Sequence, residues 1–167
     1  MAKKHIVFIL NKLTGNKRFA QYILDFLEKK YNFDKTFIFI TKEDIANARK
    51  LYKNMFITKS IALLTRQIIK RKLKEYMPME RKTDGFFVLS FQPLLALGGK
   101  YRNIPKACMI DATSTSMLRM CNDWKKFSLI QGITSSIYKY YFKNIVIFLP
   151  QCKWAAKSLI YDFKVPM

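Results

Sequence analysis

Apolar residues in this chain follow two rhythms. Short, nearly unbroken runs, Ile6–Leu10, Phe37–Ile40, Phe86–Phe91, Ala107–Ile110 and Ile145–Leu149, read as strands buried on both faces. Between them apolar positions recur at helical spacing: Phe19, Tyr22, Ile23, Phe26 and Leu27 in one segment, and Ile57, Ile61, Leu64 and Ile68, continued by Ile69, Leu73 and Tyr76, in residues 56–76. The punctuation agrees. Thr41 is an N-cap, with Glu43 and Asp44 in the first turn where the helix dipole favours acids. Pro78 stops the long helix, and Asp84-Gly85 turns the chain into the next strand. Gln92-Pro93 opens a short helix, Leu94 to Leu97, closed by Gly98-Gly99. The pattern predicts a mostly helical stretch from Ser114 to about Tyr141 and a last helix from Trp154 to Tyr161.

Strands that alternate with helices and are apolar on both faces predict an α/β chain. The expectation is a single Rossmann-like domain over residues 1–167, an open, mostly parallel sheet with helices on both faces. Ligands of such sheets bind beyond the carboxyl ends of the strands. Residues 11–17, 90–93, 111–116 and 150–153 are therefore the ones to watch. No internal repeat or low-complexity segment interrupts the pattern.

Composition narrows the class. Half of the 167 residues are apolar and 15% are aromatic, enough for a real core. No apolar run reaches the ~18 residues of a membrane span. The run after His5 is too short for a signal-peptide core. Cys108, Cys121 and Cys152 make no CxxC pair and leave an odd count, which fits reduced thiols, largely buried, and a cytoplasmic location. Charge changes the picture most: 31 basic residues against 11 acidic give +20. Such a surface holds polyanions: nucleic acid, anionic lipid or phosphorylated ligands. Residues 49–74 carry nine basic residues and no acid, and Lys59, Arg66, Lys70, Arg71, Lys72 and Lys74 read as facing an anionic membrane surface from an amphipathic helix, the inner face of the cytoplasmic membrane being the expected location. The competing reading packs the apolar stripe on the sheet and solvates the charges.

Common site signatures are missing. The first loop has no GxGxxG, and the chain has no GxxxxGK[ST] and no GxSxG. His5 is the sole histidine and reads as an ordinary strand-edge residue, so neither a His-based triad nor a zinc site is expected, and no metal or cofactor is implied. Trp124, Trp154, Tyr138, Tyr141 and Phe142 read as core or helix–sheet packing.

The last third carries more. A strand ends in Ile110-Asp111-Ala112-Thr113; a helical segment with Trp124 follows; then a strand, Asn144 to Leu149; then Trp154-Ala155-Ala156 and, after a helix, Tyr161-Asp162-Phe163-Lys164-Val165-Pro166. Upstream, Leu89-Ser90-Phe91-Gln92-Pro93-Leu94-Leu95-Ala96 ends another strand. This arrangement resembles the acceptor-side, N-terminal domain of glycosyltransferase family 4 in the GT-B superfamily. The resemblance implies a role in sugar transfer from a nucleotide-activated donor to a glycan or lipid-linked acceptor. It implies that Asn11, Lys12, Thr14, Gly15, Asn16 and Lys17 line the acceptor and phosphate side of the cleft. It places Asp111 as the catalytic carboxylate at the strand end, with Ser90, Gln92 and Thr113 as polar contacts nearby. The family's first-loop Gly-Gly pair and the histidine near the Asp111 strand have no counterpart here. Nor does its donor-binding pair of glutamates, since no glutamate follows Glu80. The expectation is half of an enzyme, inactive alone, with a donor-domain partner chain and an exposed apolar face where that partner docks.

Two other classes compete. A basic peripheral-membrane module without catalysis would bind anionic liposomes and support no turnover with any partner. A nucleic-acid-binding module is disfavoured, because no helix-turn-helix, RNP, KH or zinc-finger pattern accompanies the charge.

Overall fold

Residues 5–11 form the centre of the sheet because they are apolar on both sides. In β1 (His5–Asn11), Val7 and Ile9 turn to one face and Phe8 and Leu10 to the other, and all four are buried. The computed structural model describes residues 3–13, 16–31, 33–53, 61–77, 82–111, 136–137, 140–142 and 147–165. β1 pairs in parallel with β2 (Asp34–Ile40) on one side and β3 (Gly85–Leu89) on the other. β4 (Lys106–Ile110) and β5 (Ile147–Pro150) continue a five-stranded, all-parallel sheet in the order β2-β1-β3-β4-β5. The protein is an α/β fold with a Rossmann-like open sheet. Its order is one of the two common doubly wound orders, whose direction reverses between β1 and β3.

That reversal assigns the helices to faces. α1 (Asn16–Lys30) leads from β1 to β2; α2 (Lys42–Leu51) and α3 (Ile61–Tyr76) lead back across β1 to β3. Right-handed crossovers in opposite directions lie on opposite faces. The α3 face is the larger core. Leu64, Ile68, Ile69 and Leu73 of α3 pack on Val7, Ile9, Ile38, Val88 and Ile110. A 3-10 turn, Gln92–Ala96, adds Leu94, Leu95 and Ala96, and α4 (Lys153–Tyr161) adds Leu159. On the α1 face Ala20 and Leu27 cover Phe8, Leu10 and Leu89.

The expected N-cap Thr41 is present and forms a capping box with Asp44 on α2. The short helix expected over Leu94 to Leu97 is the 3-10 turn Gln92–Ala96, and Gly99, at φ +59°, opens a second short turn beyond it. Gly85 is the first residue of β3 rather than part of a turn, and Pro78 lies outside the described residues. Other expectations are corrected. Ile61 and Tyr76 are exposed rather than part of the buried stripe. A 16-residue helix is ~24 Å long and overhangs a five-residue strand of ~17 Å at both ends. Phe19, Tyr22 and Phe26 of α1 are likewise exposed, because the small Ala20, with Ile23, Leu24 and Leu27, takes the sheet-facing strip. Ile147 and Leu149 leave β5 uncovered on one side, so the sheet is not sheathed on both faces throughout the described residues. Trp154 is 38% exposed, and α4 turns Ala155, Ser158 and Leu159 inward instead. His5 is 3% exposed, and its Nε2 pairs with Thr36 Oγ1 at 2.9 Å, tying β1 to β2 from inside the sheet. Ile57, Cys121, Trp124, Tyr138 and most of the stretch from Ser114 to Tyr141 lie outside the described residues. No described helix is long and apolar enough to cross a membrane.

Candidate functional site

The strand order reverses where the chain leaves β1 and β3 in opposite directions, the point at which sheets of this kind bind ligands. Ile9 pairs with Val88, so two residues further on Asn11 stands beside Ser90. Asn11 is 4% exposed, and its Oδ1 accepts the Leu13 N–H at 2.9 Å, an Asx turn that shapes the loop. The Lys12 N–H donates to Ile40 O at 2.9 Å, and its ammonium lies 3.8 Å from the centre of the Phe39 ring. The loop delivers the chain to the start of α1, where Asn16 is half-buried and Lys17 exposed.

On the neighbouring strand Ser90 follows the end of β3 with φ +78°, a left-handed conformation that a non-glycine residue adopts at a cost of about 1 kcal/mol. It is held there from β4. Its N–H donates to Met109 O at 2.9 Å, and its carbonyl accepts the Cys108 thiol at 3.7 Å. Burial pushes that thiol well above its usual range. The left-handed residue turns the chain sharply into Phe91 and half-buried Gln92, where Pro93 starts the 3-10 turn.

Asp111 lies elsewhere. Leu89 pairs with Met109, so Asp111 continues the tip of β4, two strands and about 10 Å from the β1 tip. Its side chain is exposed, and its carbonyl accepts the Cys152 thiol at 3.3 Å. Next to it, the Gln151 N–H donates to Ile110 O at 2.8 Å. The structure thus sets Asn11 beside Ser90, with Asn16, Lys17 and Gln92 on the adjoining turns; it lays the Lys12 ammonium over Phe39 on the β2 side of β1 and sets Asp111 apart beside Gln151 and Cys152. Thr14, Gly15 and Thr113 lie outside the described residues.

The basic helix divides into two sets. The Arg66 Nε–H donates to Leu95 O at 3.2 Å. Lys72 Nζ donates to Phe39 O and to Asp44 Oδ2, each at 2.8 Å, and so fastens α3 to the end of β2 and the start of α2. Burial works against the Asp44 carboxylate, but the Lys72 ammonium and the Thr41 N–H and hydroxyl outweigh it and hold its pKa below the ordinary value. Lys70, Arg71 and Lys74 are exposed. Lys59 lies outside the described residues.

Two features escape a reading of residue types. One is the backbone of Ser90. The other is Lys106, 4% exposed, whose ammonium donates to Tyr101 O, Arg102 O and Ile104 O at 2.8–2.9 Å. Burial lowers its pKa. The two-residue period of β4 sets Lys106 on the same inward side as Cys108 and Ile110, and that signal was available in the sequence. Among the described residues no three His, Cys, Asp or Glu side chains converge as metal ligands would.

A doubly wound, all-parallel sheet with Asn11 and Ser90 side by side at its switch point belongs to the Rossmann-like class of α/β proteins. No family model matches the chain, and no curated protein or solved structure does either.

Proposed function

We propose that this chain is the acceptor-binding half of a sugar-nucleotide-dependent glycosyltransferase that transfers a hexosyl group to a glycan or lipid-linked acceptor. The observation that carries this reading is the placement of Asn11 beside Ser90 at the switch point, with the Lys12 ammonium close by over Phe39 on the β2 side. The Lys12 ammonium and the N–H groups opening α1 suit a phosphate or a sugar hydroxyl. The left-handed turn at Ser90 supports the same reading, since strained backbone gathers at ligand sites. Asp111 is the carboxylate for the acceptor hydroxyl. Its distance of about 10 Å from the β1 tip calls for an acceptor that stretches across three strand ends, longer than a single sugar ring. The donor would come on a partner chain, and exposed Lys70, Arg71 and Lys74 on α3 would hold the pair near an anionic membrane that carries the acceptor.

The test is an amide NMR titration of the full chain with a hexose 1-phosphate. Shifts are expected in residues 11–13, 16–18 and 89–92, and Lys12→Ala should weaken binding about tenfold, the scale of one charge-assisted contact. Shifts confined to other parts of the sheet, or binding indifferent to Lys12→Ala, would overturn the reading.

A further inference from the structure

From the tip of β3 the chain returns to the foot of β4 through two short turns, Gln92–Ala96 and Gly99–Tyr101, on the α3 side of the sheet. Between these turns and the tyrosines Tyr140 and Tyr141 lies a recess of about 140 Å³. It is far from the switch point. Phe86 pairs with Lys106, so Lys106, in the wall of the recess, is four strand positions or about 13 Å below the level of Ser90.

The inner wall is apolar: Leu94 and Leu97 are each 1% exposed. Tyr141 lies so close to the backbone at Gly98 that a Cβ there would meet its hydroxyl oxygen at 3.1 Å, so the ring keeps its place only because residue 98 has no side chain. The charge in the recess is all of one sign, since no acidic side chain lines it. Lys106 is buried, but its three N–H groups are spent on the carbonyls of Tyr101, Arg102 and Ile104, so it supplies charge and no free donor. Arg102 is the reverse case. It is exposed, its guanidinium carbon lies 5.4 Å from the centre of the Tyr140 ring, and no carboxylate or carbonyl among the described residues pairs with it. The Tyr141 hydroxyl has no hydrogen-bond partner among the described residues either.

Volume and donors together select a ligand. An apolar cavity of ~150 Å³ admits one benzene ring, so nucleotides and glycans are too large for this recess. The free donors are one guanidinium fork and one hydroxyl. A carboxylate satisfies the fork with its two oxygens and can accept the hydroxyl as well. A doubly charged phosphate, with three or four oxygens to satisfy, asks for more donors than are free. A cation is repelled by Lys106 and Arg102, and a neutral ring leaves the fork unanswered. We propose that the recess binds a small monocarboxylate, its apolar body no larger than one six-membered ring and resting on Leu94 and Leu97, its carboxylate on the Arg102 guanidinium. The inference does not rest on the sugar-transfer reading, whose site is at the other end of the strands.

The probe is sodium benzoate, titrated into the full chain and followed by amide NMR, with benzamide and inorganic phosphate for comparison. Benzoate should shift the amides of residues 97–102 with a dissociation constant of about 0.1–1 mM, the scale of so small a ligand. Benzamide, of the same shape without the charge, should bind at least ~10-fold more weakly, and phosphate should not displace benzoate. Arg102→Gln should weaken benzoate about tenfold or more, and Tyr141→Phe about threefold. Arg102 is exposed, so its variant keeps the fold. Lys100→Gln removes the same charge from an exposed neighbour that does not line the recess, and should change the affinity less than about twofold. Equal binding of benzamide, displacement by phosphate, or a loss on Lys100→Gln as large as that on Arg102→Gln would overturn the proposal. So would benzoate shifts that leave residues 97–102 untouched.

Discussion

Ser90 is where the backbone of β3 departs from what its own side chain prefers. Its φ of +78° is a glycine conformation, and the hydrogen bonds to Met109 and Cys108 on β4 hold it. Relieving the conformation should therefore stabilise the protein, while a β-branched residue should exaggerate it. Ser90→Gly is expected to leave stability unchanged or raise it by up to about 1 kcal/mol, and Ser90→Val to lower it by about 2 kcal/mol or more. Urea unfolding of the two variants beside the parent checks this. The sequence marks a serine near the end of an apolar run, and that much places it at a strand tip. It does not reveal the sign of φ, which is imposed by a neighbouring strand some twenty residues away. Lys106 is the converse case. Its inward direction follows from strand alternation, but the three carbonyls that satisfy it belong to the turn before β4, whose path no local pattern specifies.

At the scale of elements, the start of α2 was legible to the residue. The spacing predicts Thr41 as the N-cap with acids in the first turn, and in the structure Asp44 closes that cap into a reciprocal capping box. What the spacing could not show is that Lys72, one of a run of basic residues on α3, reaches back to complete it. The ion pair gives the cap a pH dependence. The folded Asp44 carboxyl titrates below the ordinary value of 3.8, so its stabilisation is complete above that value and is lost as pH falls through the lower folded one. Asp44→Asn should cost about 1–2 kcal/mol at pH 7, and the gap should narrow below pH ~3. Lys72→Gln should cost stability at pH 7, whereas Lys70→Gln, on the exposed side of the same helix, should not. Chemical denaturation at pH 7 and pH 2.5 separates these outcomes. On α1 the periodicity announced a helix correctly but misjudged which aromatics it buries. An apolar arc wider than one sheet contact cannot say which of its flanks faces the protein.

For the whole molecule, alternating strands and helices were enough to predict an open, mostly parallel sheet, because every strand contains a short run that is apolar on both sides. The strand order was not readable in advance. It depends on which way each crossover turns, and the position of the switch point between β1 and β3 follows from that choice. Asp111 and Asn11, joined by resemblance into one site, are two strands apart for the same reason. The net charge of +20 acts at this scale as well. Neutralising Lys70, Arg71 and Lys74 together should cost about 1 kcal/mol per residue in affinity for vesicles containing phosphatidylglycerol, roughly a hundredfold in all. Added salt should weaken the parent toward the level of the triple variant. Co-sedimentation at low and high salt reads both effects.

The central place of β1 also sets a timetable for synthesis. Its two neighbours are β2, which begins at Asp34, and β3, which begins at Gly85, and the main-chain N–H of His5 finds its partner on Asp84. A ribosome adding about 5–20 residues per second needs some 4–16 seconds to make the 79 residues that separate those partners. Throughout that interval one edge of the most apolar strand in the molecule is out of its sheet. A nascent chain of this protein is therefore a client for whatever shields hydrophobic segments at the exit tunnel, and its yield should depend on elongation speed between codons 12 and 85 more than anywhere else.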